Sequence, residues 1–112
     1  MNPGRLRHRI LVERPTGPEL DSDGATVEGW EPVFSGLVSA EIVALSGREL
    51  IAAQAVQSKV STRIRVRFHA DYAANQRVTH RGTVYNIEAV VPDPKSGVHF
   101  AMLQCTSGLN EG

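Results

Sequence analysis

Apolar and polar residues alternate most cleanly between Val60 and His69. Val60, Thr62, Ile64, Val66 and Phe68 fall on one face, and Ser61, Arg63, Arg65, Arg67 and His69 on the other. A period of two is that of a β-strand with one buried face. The same pattern predicts a strand over His8–Arg14, closed by Pro15, which has no N–H to give a ladder. Ala25–Phe34 recovers strand character, with Val27 and Trp30 as anchors, and Gly36–Val43 is a firmer strand with Glu41 pointing out. Arg77–His80 and Thr83–Val91 read as a hairpin about Arg81-Gly82, in which glycine supplies a positive-φ position and Val84 lies opposite Val78. Val98–Thr106 is the last strand. Between strands, Thr16–Gly24 collects proline, glycine and the turn signature Asp21-Ser22-Asp23-Gly24, which predicts an exposed, mobile, acidic loop. Asp71–Asn75 turns, Pro92–Gly97 loops, and residues 1–4 and 107–112 read as loose ends.

One stretch breaks the period of two. Leu45-Ser46-Gly47-Arg48-Glu49-Leu50, running on through Ala52-Ala53-Gln54-Ala55-Val56-Gln57, predicts a helix over about 47–57. Ser46 followed by Glu49 has capping-box spacing, so hydroxyl and carboxylate each satisfy a backbone N–H left without a helical partner. Leu45 and Leu50 are spaced to clamp that start as a hydrophobic staple. By spacing alone the segment is an ordinary connecting helix or a helix with a contact role. The whole pattern predicts a mainly β chain: a small antiparallel β-barrel or sandwich of five to six strands, with one short helix and long mobile loops.

At 112 residues the chain makes one domain, 1–112, with a modest core. Its formal charge is zero, which removes any overall pull toward nucleic acid or membrane, but the charge is laid down in blocks. Residues 1–14 are basic, 15–50 hold Arg48 against seven acids, 51–81 are basic again, and 82–112 are mildly acidic. Alternating blocks of opposite sign suit a protein that meets copies of itself, or other subunits, through complementary patches. A single cysteine, Cys105, excludes an internal disulfide and reads as a small core residue. Neither a signal-peptide pattern nor an apolar run of membrane-spanning length is present, so the expectation is a soluble protein made in the cytoplasm.

Reactive constellations are sparse. The four histidines, His8, His69, His80 and His99, lack metal-ligand spacing, and one cysteine cannot complete a zinc site. Glu19, Asp21 and Asp23 brush against a calcium loop, but Trp30 stands where the bidentate glutamate belongs. Ser46-Gly47-Arg48 has neither the glycines nor the lysine of a phosphate loop. Nothing brings two carboxylates into one cleft for acid–base work. The chain therefore reads as a non-enzyme without cofactor or metal. One constellation has a physical edge: Arg63, Arg65 and Arg67 recur about 6.6–6.8 Å apart along one strand face. That spacing approaches the step between phosphates on a nucleic-acid strand, so the row can face DNA. Equally, it can pair with the acids of 15–50 in the same subunit or a neighbour. Aromatic residues are too few to build a stacking platform for bases.

Several segments together resemble the phage head–tail joining proteins, the stopper or head-closure connectors of long-tailed phages, prophages and gene transfer agents. They are Gly4-Arg5-Leu6-Arg7-His8-Arg9-Ile10-x-Val12-x-Arg14-Pro15, Glu28-x-Trp30, Val38-x-Ala40-x-Ile42, the Leu45–Leu50 motif with Gln54 and Gln57 behind it, Thr62-Arg63-Ile64-x-Val66-Arg67, and Arg81-Gly82 with Tyr85-x-Ile87. The resemblance implies a small β-barrel that forms a homo-oligomeric ring below the portal and adaptor. Such a ring closes the DNA-filled head and docks the tail terminator or tail tube. Double-stranded DNA passes its channel without sequence specificity, and no membrane is involved. The resemblance also implies assembly in the bacterial cytoplasm and residence at the neck of the mature virion or phage-like particle. It assigns Ser46, Gly47, Arg48, Glu49, Leu50, Gln54 and Gln57 to a subunit or adaptor interface, and leaves Arg63, Arg65 and Arg67 as a channel or acidic-partner face. A mobile segment reaching toward the channel is implied as well; Thr16–Glu28 and Ser46–Lys59 are both candidates. The acidic 19–31 region is expected to meet the arginine face of a neighbouring subunit or of the adaptor. The alternatives are an OB-like module for single-stranded nucleic acid, or another small structural tail subunit.

Overall fold

Every polar–apolar alternation read as a strand is drawn into a single antiparallel ladder. The computed structural model describes residues 6–92 and 99–107. The expected loose ends at 1–4 and 108–112, the 93–97 stretch of the loop, and Val98 lie outside the described residues. In order, the elements are β1 (His8–Leu20), β2 (Thr26–Pro32), β3 (Val38–Ala44), α1 (Gly47–Ala55), β4 (Thr62–Arg67), β5 (Arg77–His80), β6 (Thr83–Pro92) and β7 (Phe100–Ser107). Hydrogen-bonded neighbours run β2-β1-β3-β4-β7-β6-β5, and β5 returns to β1 through Leu11↔Thr79, Val12↔Val78 and Glu13↔Arg77. Six strands thus form a closed circuit, as in a small β-barrel, and β2 alone stands outside it. Closure removes the open edges that would otherwise template aggregation.

The inward positions are those the alternation predicts. Ile10 and Val12 of β1, Ala40 of β3, Ile64 and Val66 of β4, Val78 of β5, Ile87 of β6, and Ala101, Leu103 and Cys105 of β7 form one buried cluster. Each fully buried Ile, Leu or Val contributes about 1.5–3 kcal/mol of transfer free energy. Cys105 is a core residue, as read from the sequence, and burial followed by the nearby Glu88 charge pushes its thiol up to about 12.

The structure departs from the sequence reading at several places. There are seven strands, because β1 does not stop at Pro15. It runs to Leu20, pairing Pro15↔Trp30, Gly17↔Gly29, Pro18↔Glu28, Glu19↔Val27 and Leu20↔Thr26. The ladder shifts between Pro15 and Gly17, and Gly17 takes φ +104°. At such a bulge the pairing is already interrupted, so the N–H that proline lacks is not missed. The segment expected to be a mobile loop is therefore a built hairpin. Its turn is closed by Asp21 N–H to Ala25 O at 2.9 Å and Gly24 N–H to Asp21 O at 3.0 Å. The Asp21 carboxylate accepts from the N–H groups of Asp23 and Ala25, each at 2.9 Å.

Beyond the barrel this hairpin has nothing to bury against, so Val27, expected as an anchor, is exposed. The helix ends at Ala55, two residues early, and β4 spans only Thr62–Arg67. With its alternation ended there, Phe68 turns outward and is 48% exposed. In the β5–β6 hairpin Val84 faces Thr79, and Tyr85 faces Val78. Arg81 (φ 51°) and Gly82 (φ 83°) both adopt the left-handed conformation. That is a two-residue turn closed by His80↔Thr83, and its length sets a register one residue away from the one expected.

Candidate functional site

The helix that interrupts the ladder is fastened at both ends by its own chemistry. Ser46 Oγ accepts from the Glu49 N–H at 3.2 Å, and the Ser46 N–H donates to Glu49 Oε1 at 2.9 Å, completing the capping box. At the other end Ser58 N–H bonds Ala53 O at 2.8 Å and Gln57 N–H bonds Gln54 O at 2.9 Å. Gln57 takes φ 61°, so this is a Schellman cap with glutamine in the place glycine usually fills. A non-glycine residue there costs roughly 1–2 kcal/mol. The free carboxylate oxygen of Glu49 meets Arg63 Nη2 of β4 at 3.0 Å, tying helix to barrel. The Glu49 carboxyl is held below its ordinary value, first by the Ser46 N–H bond, against the opposing effect of desolvation, and then by Arg63.

Despite these ties α1 buries none of its residues. Ser46, Gly47, Arg48, Gln54 and Gln57 are exposed, and Glu49 and Leu50 are half-buried. Between the helix and the β4–β7 surface lies an open cleft of about 310 Å³, lined by Glu49, Ala52, Ala53, Val56, Val60 and Arg63 among others. Two of the expected interface residues have an additional structural duty, since Ser46 and Glu49 make the cap.

The three arginines share the outer face of β4, as expected, but they are not equivalent. Arg63 is ion-paired with Glu49. Arg65 lies with its guanidinium carbon 4.6 Å from the centre of the Phe100 ring, and Arg67 at 5.7 Å. Phe100 pairs with Arg67 on β7, points to the same outer face, and is only 5% exposed. The cations therefore roof an aromatic ring, each contact worth about 0.5–1 kcal/mol at a surface site. Arg67 is the most exposed of the row. Two strands away, on β1, Arg9 adds a further outward cation, donating to Ser39 Oγ at 3.1 Å and Leu37 O at 3.3 Å. Sequence reasoning missed Arg9 and Phe100 because their placement depends on strand order, which no local pattern encodes.

The acidic segment occupies the projecting β1–β2 hairpin. Its base is secured by Arg14–Glu31 at 2.7 Å and Arg77–Glu13 at 2.8 Å, with Arg77 stacked 4.1 Å over the Trp30 ring. Residues 18–28 are exposed on both faces of the ribbon. The hairpin lengthens the molecule to 48 × 35 × 23 Å and gives a radius of gyration of 14.9 Å, against about 13 Å expected at this length.

His8 and His80 meet edge to face at 4.9 Å, His80 Nδ1 lies 3.2 Å from the Arg9 carbonyl oxygen, and His69 packs on Phe34 at 5.0 Å. Among the described residues, no group of three His, Cys, Asp or Glu converges as a metal site would require. Nor, among these residues, is any helix long and apolar enough to cross a membrane.

Residues 1–108 match the phage head completion protein family. The chain belongs to that family. It is 32% identical over 116 residues to head completion protein gp7 of Enterobacteria phage HK97, covering 99% of this chain and all of that one. Among solved structures, protein SF1141 from Shigella flexneri 2a superposes with a TM-score of 0.73 at 27% identity, covering 99% of this chain and 100% of that one. A chain in the virion of a native gene transfer agent particle shares the fold at a TM-score of 0.56 and 20% identity, covering 93% of this chain and 96% of that one. Membership in the head completion family makes this a structural component of a phage-type particle.

Proposed function

We propose that the protein is a head–tail connector, or stopper, subunit. It assembles as a homo-oligomeric ring between the portal-side adaptor and the tail, closes the DNA-filled head and offers the tail a docking surface. The observation that carries this reading is the end-to-end match to a head completion protein. The charge layout supports it. Acids are gathered on a hairpin that projects from one part of the barrel, and arginines on the outer face of β4. Two different patches that complement each other favour head-to-tail contacts, which close into a ring when the rotation per subunit permits.

Ser46, Gly47, Arg48, Glu49, Leu50, Gln54 and Gln57 serve as contact residues toward a neighbouring subunit or the adaptor, around a helix that the barrel leaves uncovered. Arg63, Arg65 and Arg67 face acidic partners or the phosphates of double-stranded DNA in the channel, without reading sequence. Free binding of single-stranded nucleic acid is disfavoured at this face, because Phe100 lies beneath its arginines and presents no surface for a base.

Electron microscopy of the intact particle is the decisive experiment. The reading requires density for this barrel in a ring at the neck; finished particles lacking it would refute the reading. A salt-dependent filter-binding titration of the isolated chain separates the nucleic-acid alternative, which requires submicromolar affinity falling steeply with salt. Arg67→Glu is the preferred charge reversal, because Arg67 is exposed at the end of the strand. It should leave the chain folded and block particle assembly.

A further inference from the structure

Two elements of this chain bury almost nothing, and they and the helix C-cap carry the most exposed large apolar side chains among the described residues: Val56 at 75%, Leu20 at 73% and Ile51 at 69%. Ile51 lies on α1, Val56 caps the helix C-terminus and lines the open cleft, and Val43 of β3 pairs opposite Arg63. Leu20 stands at the end of the β1–β2 hairpin, paired opposite Thr26, while Val27, 42% exposed, lies on the other face of the ribbon opposite Glu19. A two-stranded ribbon with no sheet face behind it is marginal in water, and clustered apolar side chains of this exposure mark contact surfaces.

The two surfaces are complementary in charge as well as apolar content. Residues 15–31 hold Glu19, Asp21, Asp23, Glu28 and Glu31 and no lysine or arginine. The cleft is bordered by the Arg63–Glu49 ion pair, and Lys59 and Arg48 in the flanking segments add positive charge beside it. The cleft is open to solvent and measures about 310 Å³, with Ala52, Ala53, Val56 and Val60 on its walls to meet an aliphatic side chain. The hairpin carries hydrogen bonds of its own that set its shape. Its turn is fixed by the Asp21 carboxylate, Glu19 accepts from the Thr16 hydroxyl at 3.1 Å, and Glu28 accepts from the Gly17 N–H at 3.3 Å.

Within one chain the hairpin extends from the far side of β1, whereas the cleft lies across β4 and β7. A second copy is the occupant that brings acid to base and apolar tip to apolar cleft. Two hairpins meeting side by side along β2 would instead set Glu28 and Glu31 against like charges. We propose that the β1–β2 hairpin of one copy docks in the α1–β4 cleft of the next, with Leu20 entering between α1 and Val60 and the hairpin acids facing Arg63 and Lys59. This rests on the ring reading above and specifies its contact.

The test uses full-length chains disabled on one surface each. A receiver carries Leu20→Glu and is labelled with ¹⁵N; a donor carries Val56→Glu and Arg63→Glu and is unlabelled. Neither can chain onto itself, but together they form one pair. Amide spectra first establish that each variant is folded, and all the substituted side chains reach solvent. Adding donor should shift receiver amides across α1, Val60 and β4, and the shifts should weaken with salt. A donor that also carries Leu20→Glu should leave them unmoved. Shifts confined to other surfaces, or equal shifts with the doubly disabled chain, overturn this docking mode, and so does the absence of any shift. The ring itself is judged separately by the particle neck, so a ring built from other contacts would defeat the proposal and leave the ring reading intact.

Discussion

Ser46→Ala offers a sharp test of how α1 is held. The helix has nine residues, Gly47–Ala55, and none is buried. An isolated helix shorter than about 12–15 residues is marginal in water, so α1 depends on its caps and on the Glu49–Arg63 pair. Removing the Ser46 hydroxyl deletes the 3.2 Å bond from the Glu49 N–H. That loss costs about 1 kcal/mol, and the ratio of helical to non-helical population should fall about fivefold. If the whole of that cost reached the barrel, Tm would drop by about 4–8 °C. Because α1 contributes no buried residue, the barrel should melt nearly unchanged. Cα chemical shifts over 47–55 report the helix, and thermal melting followed by the strand signal reports the barrel.

A full Tm drop with the helical shifts retained would refute the idea that the helix is an appendage. Ser46→Asp should restore the helix, since aspartate caps as well as serine. Acid adds a second axis. The folded Glu49 carboxyl titrates below its ordinary value of 4.5. Its support for α1 is therefore complete above that value and disappears as pH falls through the lower folded value. Helical shifts should fade in that acid window, and should do so less in Glu49→Gln, which keeps an acceptor for the Ser46 N–H.

Leu103→Ala, in the fully buried cluster, should cost about 2–5 kcal/mol in urea unfolding, whereas Val56→Ala on the open helix should be nearly neutral; equal effects would contradict the assigned core. Arg81→Asn places the favoured Asn-Gly pair in a turn where both residues have positive φ, and should raise Tm slightly; a lower Tm would argue against that turn. Cys105, whose thiol is pushed up to about 12 by burial, should resist a thiol reagent at pH 8 until denaturant is added, and labelling of the native chain at the unfolded rate would contradict its burial.

Local pattern carried much of this protein. The Thr62–Arg67 alternation placed Ile64 and Val66 inside and three arginines outside, because a strand's side chains alternate whatever its neighbours are. The capping box was legible for the same reason: its bonds lie within four consecutive residues. The ordered motifs also sufficed to indicate the family to which the chain belongs.

Whatever depended on distant segments was decided only by the tertiary structure. Pro15 looks like a strand terminator until the bulge beside it and Trp30 across from it are in place. Phe100 is set on the outer face, beneath two guanidiniums, by its pairing with the distant Arg67. Thr16–Gly24 looks like a mobile loop until its register with β2 makes it a strand end and the turn of a projecting hairpin. Closing the barrel through β1 and β5 joins residues more than sixty positions apart, and long-range closure of that kind leaves no periodic trace in the sequence.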